Sequence, residues 1–228
     1  MPMSRNIKIS VALIAVFVAV AAAIGLAIDG EDQSSSAATS TPSATASTPS
    51  SARVVASDPR RLGALGTTGV TFTEFLDFEC ESCAAAFPVI EQLRREYAGR
   101  VTFNLRYFPI DSHKNARNAA LAVEAAAQQG KLEAMYEQMY ETQPSWGEQG
   151  KSQASVFRGF AKDLGLNMKR YDAAVADPKT AERVERDVQA GKALGVQGTP
   201  TFFVNEQMIQ PQSVEEIRQL IDDAVGGA

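Results

Sequence analysis

Hydrophobic and polar positions divide the chain into segments of different kinds. From Val11 to Ile28 the sequence is apolar without interruption, with Arg5 and Lys8 before it and Asp29, Glu31 and Asp32 after it. Gln33 to Ala52 is almost entirely Ser, Thr, Ala and Pro, which buries too little apolar surface to offset the entropy of ordering a chain. Beyond Asp58 the pattern becomes globular. Val70-Thr71-Phe72-Thr73-Glu74-Phe75-Leu76 reads as a buried strand, and Ala84 to Tyr97 places Phe87, Ile90, Leu93 and Tyr97 at helical spacing. Val101 to Tyr107 alternates with period two and reads as a second strand. Helical patterns follow. Asn115 to Gln129 is Ala-rich, Leu132, Met135, Tyr136 and Met139 share a face, and Val156, Phe157, Phe160 and Leu164 share another. Asp177-Pro178 reads as an N-cap with proline at the first helical position. Thr201 to Val204 and Gln207 to Ile209 form a hairpin about Asn205-Glu206, and Ser213 with Glu216 has the capping-box spacing that opens a last helix.

These segments predict four regions. Residues 1–10 form a cytoplasmic N-terminus, 11–28 a transmembrane anchor, 29–57 a flexible linker and 58–228 one α/β domain with an all-helical insert at about 112–192. At about 1.5 Å per residue the apolar run just crosses a hydrocarbon core of roughly 30 Å. Basic residues ahead of it orient everything downstream to the extracytoplasmic side. A cleaved signal peptide is the alternative, with Ala19, Ala21, Ala22 and Ala23 as small residues for a cleavage site. Both readings export the domain.

Charge narrows the partners. With 22 basic against 27 acidic residues and no basic cluster, the chain offers no surface for a nucleic-acid backbone. The chemistry lies in Cys80-Glu81-Ser82-Cys83, which holds both cysteines of the sequence where the first strand hands over to a helix. Amide groups at a helix start favour negative charge, so Cys80 is expected to ionise readily and lie open, with Cys83 shielded one turn in. A structural disulfide here would close a four-residue loop and contribute roughly 2 kcal/mol, against about 4.7 for a hundred-residue loop. A zinc site would need four ligands, and beyond the cysteines only His113 is at hand. An inert buried pair remains as the third alternative to redox chemistry.

Phe75-Leu76-Asp77-Phe78-Glu79-Cys80-Glu81-Ser82-Cys83, a long helical stretch and then Gly195-Val196-Gln197-Gly198-Thr199-Pro200-Thr201 together resemble the thioredoxin superfamily. Within it they resemble exported DsbA-like thiol-disulfide oxidoreductases. The resemblance spans about residues 65–226 and implies a thioredoxin-like fold with an inserted helical subdomain. It makes Cys80 the attacking thiol, Cys83 the resolving thiol and Pro200 a cis-proline, with Thr199 beside Cys80 offering its backbone to a substrate strand. It gives Glu74 the role of a buried acid that shuttles protons for Cys83, and Pro88 that of a helix-kinking proline. His113 and Trp146, in or beside the insert, read as a capping or packing residue and a core residue. The implied partners are reduced exported proteins and a quinone-linked membrane protein that reoxidises the pair, in a bacterial cell membrane, with no metal or organic cofactor. Glu81 and Ser82 depart from the Pro-His that well-known members carry between the cysteines, and are expected to tune the pair. Negative charge at Glu81, with Asp77 and Glu79 nearby, should disfavour a Cys80 thiolate and moderate its oxidising strength. The alternatives are a reductase or isomerase of the same fold and a non-catalytic peptide-binding module.

Overall fold

The computed structural model describes residues 52–228, so the expectations for 1–10, for 11–28 and for most of the linker lie outside the described residues. In chain order the elements are β1 (Arg60–Leu62), β2 (Thr71–Leu76), α1 (Glu81–Glu96), β3 (Thr102–Tyr107) and α2 (Ala116–Ala127). Then come α3 (Leu132–Trp146), α4 (Ala154–Asp163), α5 (Met168–Ala176), α6 (Pro178–Ala193), β4 (Thr201–Val204), β5 (Gln207–Ile209) and α7 (Val214–Gly226). Among the described residues no helix is long and apolar enough to cross a membrane.

The strands form one mixed sheet in the order β1-β3-β2-β4-β5, with β2 and β3 parallel through the α1 crossover and the other pairs antiparallel. Register sorts the side chains. Phe72, Glu74 and Leu76 pair with Phe103, Leu105 and Tyr107, and share one face because strand side chains alternate. That face belongs to the main apolar core, with Ile90 and Leu93 of α1 and Ile217 and Ile221 of α7. The opposite face carries Phe75 and Phe203, which pack with Phe108, Val188 and Val196 in a second cluster. With helices over both faces, the parallel pair is buried on each side, as such pairs require.

The insert is an α2–α6 subdomain in which α2 packs against each of the other four helices. Trp146 is fully buried with its ring edge against Phe157, as its reading as a core residue required. Asp177 caps α6 by accepting from the Lys179 amide at 2.9 Å, with Pro178 at the first turn. Ser213 caps α7 through the Glu216 amide, while Glu216 returns its carboxylate to the amide of Gln212. At Gly191 an added Cβ would stand 2.8 Å from the Phe108 ring, so glycine lets α6 press onto the sheet.

Three features differ from the sequence expectation. The edge strand β1 has only three residues, two of them arginine, and no alternation reveals it. It is held by Arg60, whose guanidinium grips buried Glu124 at 2.5 and 2.6 Å. Helix α5 buries only Tyr171 and so shows no periodic face. The packed chain also starts ahead of Asp58. Val54 is fully buried, and Arg106 donates to the carbonyls of Arg53 and Val54 at 3.0 and 2.7 Å.

Arg106 also joins an ion network that positions α6. Asp187 pairs with Arg106 and, at 2.7 Å, with Arg183, while accepting from the Tyr107 amide at 3.2 Å. All three charged side chains are at most 4% exposed. Removing the shared anion leaves buried Arg106 without a carboxylate, while Arg183 keeps Asp58 at 3.0 Å, and breaking such a buried pair costs about 3–5 kcal/mol. Asp187→Ala is therefore expected to lower unfolding stability by that amount in urea. A loss below about 1 kcal/mol would show that packing alone holds α6.

Candidate active site

The site begins with a turn. After β2 the chain leaves the sheet at Asp77, whose buried carboxylate accepts from the Glu79 amide at 2.8 Å and the Ile110 amide at 2.9 Å. The Asp77 carbonyl accepts from the Cys80 amide at 3.2 Å. This closes a tight loop that delivers Cys80 to the N-cap of α1, where no side chain caps the helix. The free amides there are left for the sulfur.

Helix α3 secures the same loop from the insert side. Gln143 donates from its amide nitrogen to the carbonyls of both Phe78 and Cys80 at 2.9 Å, and the Tyr140 hydroxyl donates to the Asp77 carbonyl at 3.3 Å. Glu79, 1% exposed, accepts from the amides of Asn115 at 2.5 Å and Glu148 at 3.0 Å. It thereby ties the loop to the start of α2 and to the segment after α3. Asp77 and Glu79, whose charge was expected to repel a thiolate, are both buried acceptors of hydrogen bonds, and neither is among the chief influences on Cys80.

Both cysteines are free thiols. Cys83 is 1% exposed, and Cys80, at 8%, is more covered than an attacking group was expected to be. The cover is the loop before β4, where the Thr199-Pro200 peptide is cis and the Thr199 carbonyl lies 3.4 Å from Cys80 Sγ. Their acidities are split. A hydrogen bond from Cys83 is the largest influence on Cys80. It outweighs burial and, with Thr199 and the amides of Cys83 and Ser82, brings Cys80 down to about 5. The Thr199 hydroxyl is buried and has no hydrogen-bond partner among the described residues; the contact with Cys80 Sγ is made by the Thr199 carbonyl. Burial, the hydrogen bond to Cys80 and the charge of Glu74 push the Cys83 thiol far above the ordinary range.

Glu74 sits on the α1 face of the sheet, 3% exposed, and burial followed by the negative charge of Cys80 and Glu91 raises it to about 8. At neutral pH it therefore holds a proton beneath the cysteines. Glu81 lies elsewhere than expected. Its carboxyl is exposed at the surface, near that of Glu148. Glu81 is thus not among the chief influences on Cys80. Ser82 contributes its backbone amide to the sulfur.

Sequence reasoning did not reach Asp77 and Glu79 as structural acids, nor Gln143, Tyr140 and Asn115. An acid at alternate positions in an apolar run was a usable signal for the first two. Nothing in sequence marks Gln143. His113, expected to cap or pack, lies with its Nδ1 2.6 Å from Asp77 Oδ2 at the edge of the site.

The family model described as thioredoxin matches residues 60–223, and the chain belongs to that family. In fold it is similar to DsbA-like proteins. BdbD from Bacillus subtilis is 25% identical with a TM-score of 0.66, covering 74% of this chain and 94% of BdbD. The thiol-disulfide exchange protein alpha-DsbA2 from Wolbachia pipientis is 19% identical with a TM-score of 0.61, covering 72% of this chain and 86% of its own, a likeness of fold alone. A curated relative, the Na(+)/H(+) antiporter NhaA 3 of Salinispora tropica, is 33% identical over 161 residues, which is 70% of this chain and 24% of the antiporter. The chain thus spans about a quarter of that relative's length.

Two predictions follow from the split acidities. Thiolate absorbance of the reduced protein should rise with a midpoint near pH 5, and alkylation at neutral pH should label Cys80 before Cys83. Preferential labelling of Cys83 would reverse the two roles. For Glu74 the folded pKa lies above the unfolded one, so the folded state keeps a proton that the unfolded state has released between about pH 4.5 and 8. This carboxyl therefore costs stability progressively as pH rises through that window. Glu74→Gln should leave stability near pH 4 unchanged and raise it by roughly 3 to 5 kcal/mol at pH 8.5, measured by denaturant unfolding. A gain that does not depend on pH would place Glu74 outside this role.

Proposed function

We propose that this chain is an exported, membrane-anchored thiol-disulfide oxidoreductase that introduces disulfides into exported proteins through Cys80 and Cys83. The observation that carries the reading is the split between the two thiols, one held at about 5 at a helix start and the other buried and held protonated. In the oxidised enzyme a substrate thiolate attacks Cys80 Sγ. The Cys80–Cys83 bond breaks as the mixed disulfide forms, and Cys83 leaves with the electron pair and takes a proton, for which Glu74 is the donor beneath it. A second substrate thiolate then attacks the substrate sulfur of the mixed disulfide. Cys80 departs as a thiolate, a good leaving group at its low pKa. The substrate has lost two electrons, and the Cys80/Cys83 pair has gained them.

Along the cis-proline loop, whose Thr199 carbonyl lies 3.4 Å from Cys80 Sγ, runs a groove of about 560 Å³, lined by Gln197, Thr199, Thr201 and Met208 among others. It suits an extended segment whose backbone meets that of Thr199, a local form of strand addition. Reduced exported chains are the substrates in this reading, and a quinone-linked membrane protein restores the disulfide. The apolar run at 11–28, with basic residues ahead of it, supports anchoring to a bacterial membrane with the domain outside.

Cys83→Ser should accumulate mixed disulfides between Cys80 and exported proteins in the membrane fraction, and Cys80→Ser should accumulate none. Equilibrated with glutathione, the wild-type pair should settle between about −120 mV, typical of the strong oxidant DsbA, and about −270 mV, typical of thioredoxin. A potential at or below the thioredoxin value would favour a reductase, and unimpaired function in Cys80→Ser a peptide-binding module.

A further inference from the structure

Residues 53–58 cross the sheet face that carries Phe75 and Phe203, as a strap with no regular structure of its own. The strap is held at points. Arg106 donates to the carbonyls of Arg53 and Val54, the Val54 amide donates to Glu206 at 3.3 Å, and Asp58 pairs with Arg183 and Arg186. Val54 is the one buried residue from 52 to 60. Alongside, a cleft of about 820 Å³ opens between Val55 and Ala56 of the strap and Ala190 and Ala193 of α6.

The fit beneath the strap is incomplete. The hairpin turn that carries Glu206 lies beside Thr71, and Arg106 lies beside Phe75, so the row at Thr73 falls between these two fastenings. Register sets Asn104 of β3 and Phe203 of β4 on either side of Thr73, on one face because strand side chains alternate. Thr73 Oγ1 and both amide atoms of Asn104 are buried without a hydrogen-bond partner among the described residues. Burying such groups unpaired costs stability that water would restore if the strap lifted. One valine side chain thus works against three unpaired polar atoms, which brings the docked and lifted strap close in free energy.

Val54 also bears on the site. Its cluster contains Phe75, Phe108, Val188, Val196 and Phe203. Val196 and Phe203 flank the loop that covers Cys80, and no residue from Gln197 to Phe202 is buried. The Thr199 carbonyl, 3.4 Å from Cys80 Sγ, is therefore carried on a span whose nearest buried residues in the chain both belong to the cluster that Val54 completes.

We propose that the strap is a latch on the redox site and that Val54 is the positioning residue within it. Seated, Val54 holds the loop over Cys80. Lifted, it frees the loop and opens the sulfur to a substrate. This rests on reading Cys80 as the attacking thiol.

Two substitutions move the latch in opposite directions without touching the cysteines. Glu206→Ala, at an exposed position of the hairpin turn, removes the acceptor of the Val54 amide and should lift the strap. Asn104→Leu removes the unpaired amide and should seat it more tightly. In the full-length chain, hydrogen exchange at the Val54 and Val55 amides reads the strap, and the rate of alkylation of reduced Cys80 at about pH 8 reads access. That pH is well above the Cys80 midpoint of about 5, so the rate follows access and not acidity. In Glu206→Ala both rates should rise by about threefold to tenfold, and in Asn104→Leu both should fall. Val54→Ala, which keeps the backbone bonds and loosens the cluster, should raise alkylation as well. Strap exchange that shifts while alkylation stays constant would overturn the proposal. So would strap exchange that neither variant moves, since the strap would then be held by other groups. Glu206→Ala decides the matter alone if Asn104→Leu does not fold. Alkylation that falls first on Cys83 would overturn the reading of the site together with the proposal, whereas labelling of Cys80 at a rate blind to the strap would overturn the proposal alone.

Discussion

A single buried carboxylate holds the site in place. Asp77 ends β2, and its side chain gathers the amide of Glu79, the amide of Ile110 and the ring of His113, from stretches more than thirty residues apart. An isolated carboxylate at 1% exposure would be protonated or displaced, and burial does raise its pKa against the pull of its donors. The donors hold the loop in one shape, and the loop in turn puts Cys80 at a helix start with its amides free. If the carboxylate lost its donors, the turn would have no reason to close where it does.

The helical insert has its physical role here. Its helix α3 reaches back with Gln143 to the carbonyls of residues 78 and 80 and with Tyr140 to that of residue 77, adding a second donor to those of 77 and 80, which also accept from the amides of Cys80 and Ala84. Glu79 performs the converse task, accepting from the backbone of two insert segments. The insert and the redox loop therefore satisfy each other's backbone groups, and neither is complete without the other.

Much of this was legible in the sequence. An apolar run marked β2, alternation marked β3 and helical spacing marked α1, because the two strands are buried along almost their whole length and α1 turns Ile90 and Leu93 to the main core. The position of the cysteine pair at a strand-to-helix junction was legible for the same reason. The short edge strand β1 and helix α5 escaped because their stability comes from partners distant in sequence, such as Glu124 for Arg60, and not from a face of their own. The electrostatics of the site were harder still. Counting acids near Cys80 suggested repulsion, but none of Asp77, Glu79 and Glu81 is among the chief influences on it. Spacing shows which residues are neighbours along a chain. It does not show which way a carboxylate turns or what meets it there.

The fastening of residues 53 and 54 has a mechanical side. Arg106 grips their two carbonyls from the middle of the sheet, and the Val54 amide reaches Glu206 at the hairpin turn. Tension arriving along the chain from its N-terminal side is thus carried by the inner strand β3 and the β4–β5 hairpin together. Bonds loaded in parallel share a pull that would peel them apart one by one if loaded in series. The hairpin is also joined to the site, because the cis Thr199-Pro200 peptide that covers Cys80 runs straight into β4, so a pull on the lead reaches the lid over the sulfur.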